Sequence, residues 1–381
     1  MKIKYSFMMF LSNITIYILI TLEIFVLLTA ANLSVSSINS RTMLYNPVKP
    51  YLEKKGFFAC STLEETTDLS EYLSSEAELI NLKSYNDSYI GYTIINDEIF
   101  DELNLPLKSG KKFKSDKKGD YPQLIVTSNN DGYKKGNIIT DVHGQEYMIS
   151  AVLTDLSYFL NFNKWSADMT YRDFYYTLDV KYDDTPRFFT SESQVEELIQ
   201  NRKLEASSGM IVNYPDSSSD DVIEKDKAAL SEFALISDNK DILRRSNVEL
   251  KDDTRKILPP VLLFGIIVML GIVSCAIITA QKNISKLAFF HLCGASRKEC
   301  IWINCGNMMI SVIIAYVLSA TTLFFISLSN LPYKYGFVFN ISNLYVFLII
   351  GMLILGISVA VTMRIISKEK IYTLICNREK E

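Results

Sequence analysis

A single carboxylate inside a long apolar run is the first residue of this sequence that invites a chemical role. Glu23 stands within Ile14 to Leu33, and an ionisable side chain in a membrane span is costly enough to mark a functional candidate. Three roles suit it: a carboxyl packed on a neighbouring helix, a signalling contact between helices, or proton coupling. Other reactive groups are scarce. His143 and His291 are the only two histidines, so no multi-histidine metal site can form, and Cys293, Cys300 and Cys305 lack the close paired spacing of structural zinc sites. Ser115-Asp116-Lys117-Lys118 matches Ser-x-x-Lys without the further motifs that accompany it in serine enzymes, and it reads as a solvated turn. His143-Gly144 reads as a turn as well. No Gly-x-x-x-x-Gly-Lys-[Ser/Thr] phosphate loop occurs. The sequence therefore predicts no catalytic residue, no metal and no cofactor bound by the chain itself.

What must position these groups is a set of long apolar segments. Of the 381 residues 49% are hydrophobic, and they gather into four blocks: Ile14 to Leu33, Leu258 to Ala280, Met308 to Leu328 and Leu344 to Ile366. Each has about the 20 residues that cross a hydrocarbon core of roughly 30 Å. Continuous runs without alternation read as helices rather than barrel strands. Lys2 and Lys4 before the first block, and Thr29-Ala30-Ala31 near its end, would suit a cleaved signal. The run is too long for one and Glu23 interrupts it, so a retained helix is expected.

Orientation follows from the short flanks. Lys2 and Lys4, then Lys282, Lys286, Arg297 and Lys298, then Arg364, Lys368, Lys370, Arg378 and Lys380 mark three cytoplasmic pieces, whereas Ser329 to Ser342 has only Lys334. The expected layout is a cytoplasmic amino terminus and first span over 1–33, an extracytoplasmic domain over 34–257, and a second span over 258–280. A cytoplasmic connection over 281–303, a third span over 304–328, a short outer loop over 329–342, a fourth span over 343–366 and a cytoplasmic tail over 367–381 complete it. Residues 34–257 hold 27 Lys and Arg against 38 Asp and Glu, a net charge of −11. Nucleic acid is thereby excluded as a partner, because phosphate needs the opposite sign. Cys60 is the only thiol there, so no internal disulfide can staple that domain, and its own core must hold it.

Within the outer domain, Ser34 to Leu63 reads as helix or turn interrupted by Pro47 and Pro50, and Glu64 to Leu82 as an acidic helix. Ile90 to Ile95, Gln123 to Thr127, Glu146 to Leu153 and Phe174 to Tyr182 carry strand patterns, with Gly132, Gly136 and Gly144 as turns between them. Ser191 caps a helix, Pro215 to Asp221 reads as a mobile loop, and Val222 to Lys256 as one charged helix. Pro259-Pro260 then restart a helix at the second span. The fold class expected is an α-helical membrane protein of four spans with a large α+β domain, built in two subregions about a central mixed sheet. On the third span Ser311, Ala315 and Ser319 recur every fourth residue, as do Gly356 and Ala360 on the fourth. This spacing lets helices approach closely, within the chain or across a dimer.

Two stretches resemble FtsX-like ABC permeases of the MacB type. Ile284 to Arg297 is similar to the family's segment after the second span, most clearly in Leu292-Cys293-Gly294-Ala295-Ser296-Arg297, although Lys286 replaces an acidic residue and Ala288 a glycine. In the outer domain, Ile94 to Phe113, then Lys135-Gly136-Asn137 and Tyr147 to Asp155, resemble runs of the MacB-like periplasmic core domain. The resemblance implies a permease of a type VII ABC system in a bacterial cell membrane, which transmits motion and offers no pore. It implies a separate ATPase subunit that binds ATP and magnesium, and a second permease copy or paralogue in a dimer, set in membrane lipid. The cargo suggested is a peptide or another amphipathic compound. Control of an extracellular cell-wall hydrolase and an ATP-independent membrane sensor are the other readings. Ile284, Leu287, Ala288, His291 and Leu292 follow the i, i+3, i+4, i+7, i+8 spacing of one helix face. With Gly294 and Arg297 they are the expected ATPase dock, or else an amphipathic helix resting on the membrane surface.

Overall fold

The computed structural model describes residues 2–62, 72–87, 90–103, 105, 107–116, 119–127, 132–141, 144–154, 156–179, 186–199, 205–328 and 337–368. His143, Lys117, Lys118, Tyr182, Lys334 and the tail from 369 lie outside them. The chain divides into two compact units, residues 1–39 with 253–381, and residues 40–252.

The first unit is helical. Short α1 (Lys2–Ser12) meets α2 (Ile14–Tyr45) at a break on Asn13, and α7 (Asn239–Leu292), α8 (Arg297–Leu328) and α9 (Ile341–Lys368) follow later in the chain. Among the described residues four helices are long and apolar enough to cross a membrane: Ile14–Tyr45, Asn239–Leu292, Lys298–Ser327 and Ile341–Ile365. Their inward faces share one apolar core with Tyr17, Ile20, Ile24, Leu28, Ile272, Ala315 and Ile354 all fully buried or nearly so. One flank of that core is pinned by amide groups. The Asn343 Nδ2 donates to Asn32 O at 3.0 Å and to Ser36 Oγ at 2.8 Å, which holds the start of α9 against α2.

The expected restart at Pro259-Pro260 does not occur, since α7 is one helix of 54 residues with both prolines inside it. Proline withholds two donors from the ladder. Both prolines are exposed, as are several residues of the preceding turn, so solvent can serve the carbonyls that those donors would have met.

The second unit is built on a mixed sheet. Its strands are β1 (Lys55–Ser61), β2 (Glu78–Asp87), β3 (Ile90–Ile95), β4 (Leu107–Gly110), β5 (Gln123–Val126), β6 (Ile138–Thr140), β7 (Glu146–Leu153), β10 (Arg187–Ser191), β11 (Glu205–Tyr214) and β12 (Ala234–Asp238), and β8 (Leu156–Leu160) with β9 (Tyr175–Asp179) form a separate hairpin-like pair. Among the described residues the order is β12-β1-β11-β2-β3-β10-β5-β7-β4, with β6 also on β7. Pairs β3/β10 and β5/β7 are parallel and the others antiparallel. Alternation sorts each strand onto two faces. Phe58, Ile80, Ile95, Ile125, Phe189 and Ile211 enter one large core, completed by α3 (Lys49–Leu52) and α4 (Asp97–Glu102). On the opposite face lie two separate clusters. Phe57, Val212 and Tyr214 pack with α6 (Asp220–Leu230), while Tyr92, Leu124, Ile149 and Phe188 pack with Val195 of α5 (Glu192–Ile199).

Four expectations are corrected. The acidic helix ending at Leu82 is, over Glu78 to Leu82, the start of strand β2, where Ile80 and Leu82 alternate into the core. The helix expected over Val222 to Lys256 is broken by β12, because Phe233-Ala234-Leu235-Ile236 is an apolar run with a strand edge, β1, to pair with. The loop from Pro215 is a tied turn: Ser218 N donates to Pro215 O at 3.0 Å and Ser218 Oγ to Glu76 Oε2 at 2.7 Å. Residues 55–61, expected as helix or turn, form β1 at the centre of that same half of the sheet.

Candidate functional site

The Leu292 to Arg297 segment is the corner between α7 and α8, and its residue types explain its geometry. Gly294 sits at φ +95°, a conformation that only glycine adopts without strain. Its N–H donates to His291 O at 3.0 Å and that of Ala295 to Phe290 O at 3.0 Å, the paired bonds that close a helix carboxyl end around a left-handed glycine. The next helix is started by Ser296. Its Oγ accepts from Glu299 N at 3.3 Å while the Glu299 carboxylate accepts from Ser296 N at 3.0 Å, a reciprocal amino-terminal cap. His291 Nδ1 meets Ala295 O at 2.7 Å and braces the turn. Helix stop, helix start and brace thus occupy six residues.

The face that spacing selected on this segment is turned inward. Leu287 is 4% exposed, covered by Met9, Cys300 and Ile303; Ala288 is 6% exposed, and Ile284 and His291 are half-buried. The apolar groups that the corner presents outward are Leu292 at 66%, Phe289 at 64% and, on α8, Trp302 at 65% exposure. Periodicity finds an apolar face but not its occupant. Here α1 supplies the cover, with Tyr5 and Phe290 rings 4.8 Å apart and Ser6 Oγ donating to Ile303 O at 2.9 Å. Leu292 is the one apolar member of the expected set that stays accessible; Gly294 is exposed too, and Arg297 opens α8.

Glu23 is half-buried on α2 with Gly271 of α7 beside it. A Cβ added at Gly271 would stand 2.9 Å from Glu23 Oε2, so the glycine makes the room that the carboxylate occupies. Oε2 has no hydrogen-bond partner among the described residues. The carboxylate thus lies against α7.

The two small-residue stripes part company. Ser311, Ala315 and Ser319 are each 0% exposed, and Ser319 Oγ lies 3.0 Å from Thr29 Oγ1, so this stripe is spent on packing within the chain. Gly356 and Ala360 are exposed, and nothing lies within 4 Å of a Cβ added at Gly356. The close approach on α9 is instead at Gly351, over which Tyr316 of α8 lies with its hydroxyl bonded to Phe347 O. Sequence spacing missed it because it involves one glycine and an aromatic ring.

Among the described residues no group of three or more His, Cys, Asp or Glu is placed to hold a metal. Ser115 is buried and its Oγ donates to Asp101 Oδ2 at 2.9 Å while its N donates to Oδ1 at 3.0 Å. Beside it, Lys112 Nζ donates to three carbonyls at the end of α4, Phe100, Asp101 and Leu103, at 2.8, 2.6 and 2.6 Å. Burial lowers that lysine's pKa, against the opposing pull of Asp101 and Glu102. Both side chains tie a loop to a helix end.

No protein-family model matches the chain, and no curated protein matches it. The crystal structure of the periplasmic region of MacB from Actinobacillus actinomycetemcomitans is similar over 52% of this chain and 80% of its own, at 12% sequence identity and a TM-score of 0.23.

Proposed function

We propose that this chain is the permease subunit of an FtsX/MacB-type ABC complex, which carries motion driven by ATP hydrolysis on a separate subunit to its sheet domain outside the cytoplasm. The observation that carries the reading is α7. Its 54 residues make a rod of about 81 Å at 1.5 Å per residue, far more than the roughly 30 Å of hydrocarbon. Its first turns are built into the core of the sheet domain: Ile242 is fully buried, Ser246 Oγ accepts from Tyr171 N at 2.9 Å, and Asn239 Nδ2 donates to Asn213 Oδ1 at 2.9 Å. Its last turns end at the corner with exposed Phe289 and Leu292. α7 therefore contributes residues to both units.

In this reading the corner and both termini face the cytoplasm, as the Lys and Arg of the flanks favour, and an ABC ATPase with its ATP and magnesium docks there. Phe289 and Leu292 form the apolar centre of the dock, beside Lys282 and Lys286. A second permease, a copy or a paralogue, completes the dimer in the lipid, and no step of catalysis belongs to this chain. The family's pattern suggests export of, or resistance to, peptides or other amphipathic compounds as the task. The test is affinity purification of the tagged chain from its native membranes. Phe289→Asp with Leu292→Asp should leave the chain folded and lose the ATPase, because both side chains point away from the core. Retention of the ATPase on that double variant would reject this dock, and a wild-type chain that brings down no nucleotide-binding subunit would reject the function.

A further inference from the structure

The segment between β8 and β9, residues 161–174, belongs to neither strand ladder, yet it bonds both to the sheet and to α7. Its inward side chains are large and apolar. Phe162, Met169, Tyr171 and Phe174 are each 0% exposed, in the core that also holds Ile242 of α7, Phe58 of β1 and Ile211 of β11. The Phe58 ring stands 6.3 Å from that of Phe162 and 5.2 Å from that of Phe174. The segment also keeps a shape of its own. Asp173 accepts from Thr170 N and from Lys164 Nζ, each at 2.9 Å, and Asn161 N donates to Phe174 O at 2.7 Å, which draws its two ends together.

On one side the segment grips the sheet. Asn163 Oδ1 accepts from Ser208 N at 2.8 Å and from Ser208 Oγ at 3.1 Å, and Trp165 Nε1 donates to Ser237 Oγ at 3.0 Å, so β11 and β12 are both reached. The pairing of β11 with β2 is irregular between Ala206 and Met210, and it is there that Ser208 N turns to Asn163. The next residue is Gly209, where an added Cβ would fall on Phe162 O; only glycine lets the segment lie so close. On the other side the segment grips α7. Arg245 Nη1 donates to Ala167 O at 2.8 Å, Ser246 Oγ accepts from Tyr171 N at 2.9 Å, and Glu249 Oε1 meets Arg172 Nε at 3.1 Å. With Ile242 these positions follow i, i+3, i+4 and i+7, one face of the helix over two turns. Ser246 is the member that matters most. It is 0% exposed, and a buried N–H that loses its acceptor costs more than an ordinary bond contributes, whereas the exposed Arg172–Glu249 pair adds little.

We propose that residues 161–174 are a clasp, which holds the first turns of α7 against β11 and β12 and can release them without breaking the ladder of the sheet. Two features separate a clasp from an ordinary core loop. Its hold on the ten-stranded sheet uses side chains and no strand pairing, so it can lift as a unit while the strands stay paired. Its two grips also fall on different residues, Asn163 and Trp165 toward the sheet, and Ala167, Tyr171 and Arg172 toward the helix. A segment that bonds to two elements at separate points makes the order of one depend on the other. On the function proposed above, from which this last step follows, the clasp is where displacement of α7 enters the sheet domain.

The test is hydrogen exchange on the purified full-length chain with no partner present. Asn163→Ala with Trp165→Phe removes the bonds to Ser208 and Ser237, keeps an aromatic ring at 165 and changes no residue that is bonded to α7. Amides of α7 from Leu243 to Leu250 should then exchange faster by about tenfold, with those of β3 and β10 unchanged. Arg245→Ala with Glu249→Ala should act in the reverse direction and speed exchange over Phe162 to Phe174. Helix amides that keep their wild-type protection while residues 161–174 lose theirs would overturn the clasp, and so would a uniform rise that includes β3 and β10, the mark of a core loop. Because no ATPase takes part, this result stands apart from the proposed function. In the assembled complex the first variant should also weaken the response of the sheet domain to ATP while hydrolysis continues. A full response over a loosened clasp would overturn its part in transmission, and a wild-type complex with no response would reject the function instead.

Discussion

At single residues the corner glycine gives the sharpest expectation. Gly294 has φ +95° with open space around its missing Cβ, so Gly294→Ala meets backbone strain and no clash. The left-handed conformation costs an L side chain about 1–2 kcal/mol, which should appear as a lower melting temperature of the helical unit and, on the proposed function, weaker retention of the ATPase. Gly356→Ala is the control, since that glycine is helical, exposed and unopposed and the change should leave both readouts intact. A second residue-scale expectation concerns pH. Burial raises the Cys60 thiol above its ordinary value; for Tyr214, burial and then the hydrogen bond and charge of Asp226, 2.8 Å away, raise the phenol. The folded chain therefore keeps protons that the unfolded chain releases. Its stability from these groups is fully present below about pH 8 and declines as pH rises past the ordinary thiol and then phenol values. Unfolding of the sheet domain, followed by aromatic circular dichroism on the full-length chain, should occur at progressively lower temperature from pH 8 to pH 10.5. Cys60→Ala should remove the earlier part of that decline and Tyr214→Phe should lessen the later part, which Tyr45, Tyr51, Tyr158 and Tyr175, also raised by burial, share; a decline unchanged in both would refute the assignment.

At the scale of elements, what could be read from sequence depended on whether the pattern was local. Ile90 to Ile95 is β-branched and aromatic, Glu146 to Leu153 begins in alternation, and they are strands β3 and β7 with those bounds. The spans were legible because a helix in lipid must be apolar over its whole width. Strands β1, β2 and β12 were not legible, since β1 and β11 are joined only by partners more than a hundred residues apart, and the acidic residues near Glu78 suggested a solvated helix. The corner was legible as a stop and a start, Gly294 then Ser296 with Glu299, yet its outward face was not, because only the fold reveals that α1 covers Leu287. The same contrast separates the two long helices from their setting. Tyr45, near the end of α2, donates its hydroxyl to Asn247 Oδ1 of α7 at 3.0 Å, and its ring lies 5.5 Å from that of Tyr171. Tyr45→Phe should cost about 1 kcal/mol as the lost bond, and Tyr45→Ala about 3–5 kcal/mol as lost ring burial. Denaturant midpoints for the sheet domain measure both, and equal losses would mean that the bond, not the ring, holds the pair together.

At the scale of the whole molecule the question is whether α7 acts as a rod. The sheet domain holds Ile242 and Ser246, the helical unit holds Ile272 and Leu287, and the segment from Lys256 to Pro260 between these anchors is largely exposed. A flexible Gly-Ser-Gly insertion after Lys256 should therefore leave both cores intact, because it adds no buried group and removes none. It should also leave the ATPase bound, since Phe289 and Leu292 are far along the chain from the insertion. What it should abolish is the transmission itself. On the proposed function, protease protection or spin-label mobility at a sheet-domain position such as Ile138, which is 50% exposed, would respond to ATP in the assembled wild-type complex and stop responding in the insertion variant, while ATP hydrolysis continues. An insertion variant whose outer domain still answers to ATP would mean that α2 or a partner carries the motion, because a helix interrupted by three flexible residues no longer transmits displacement along its axis.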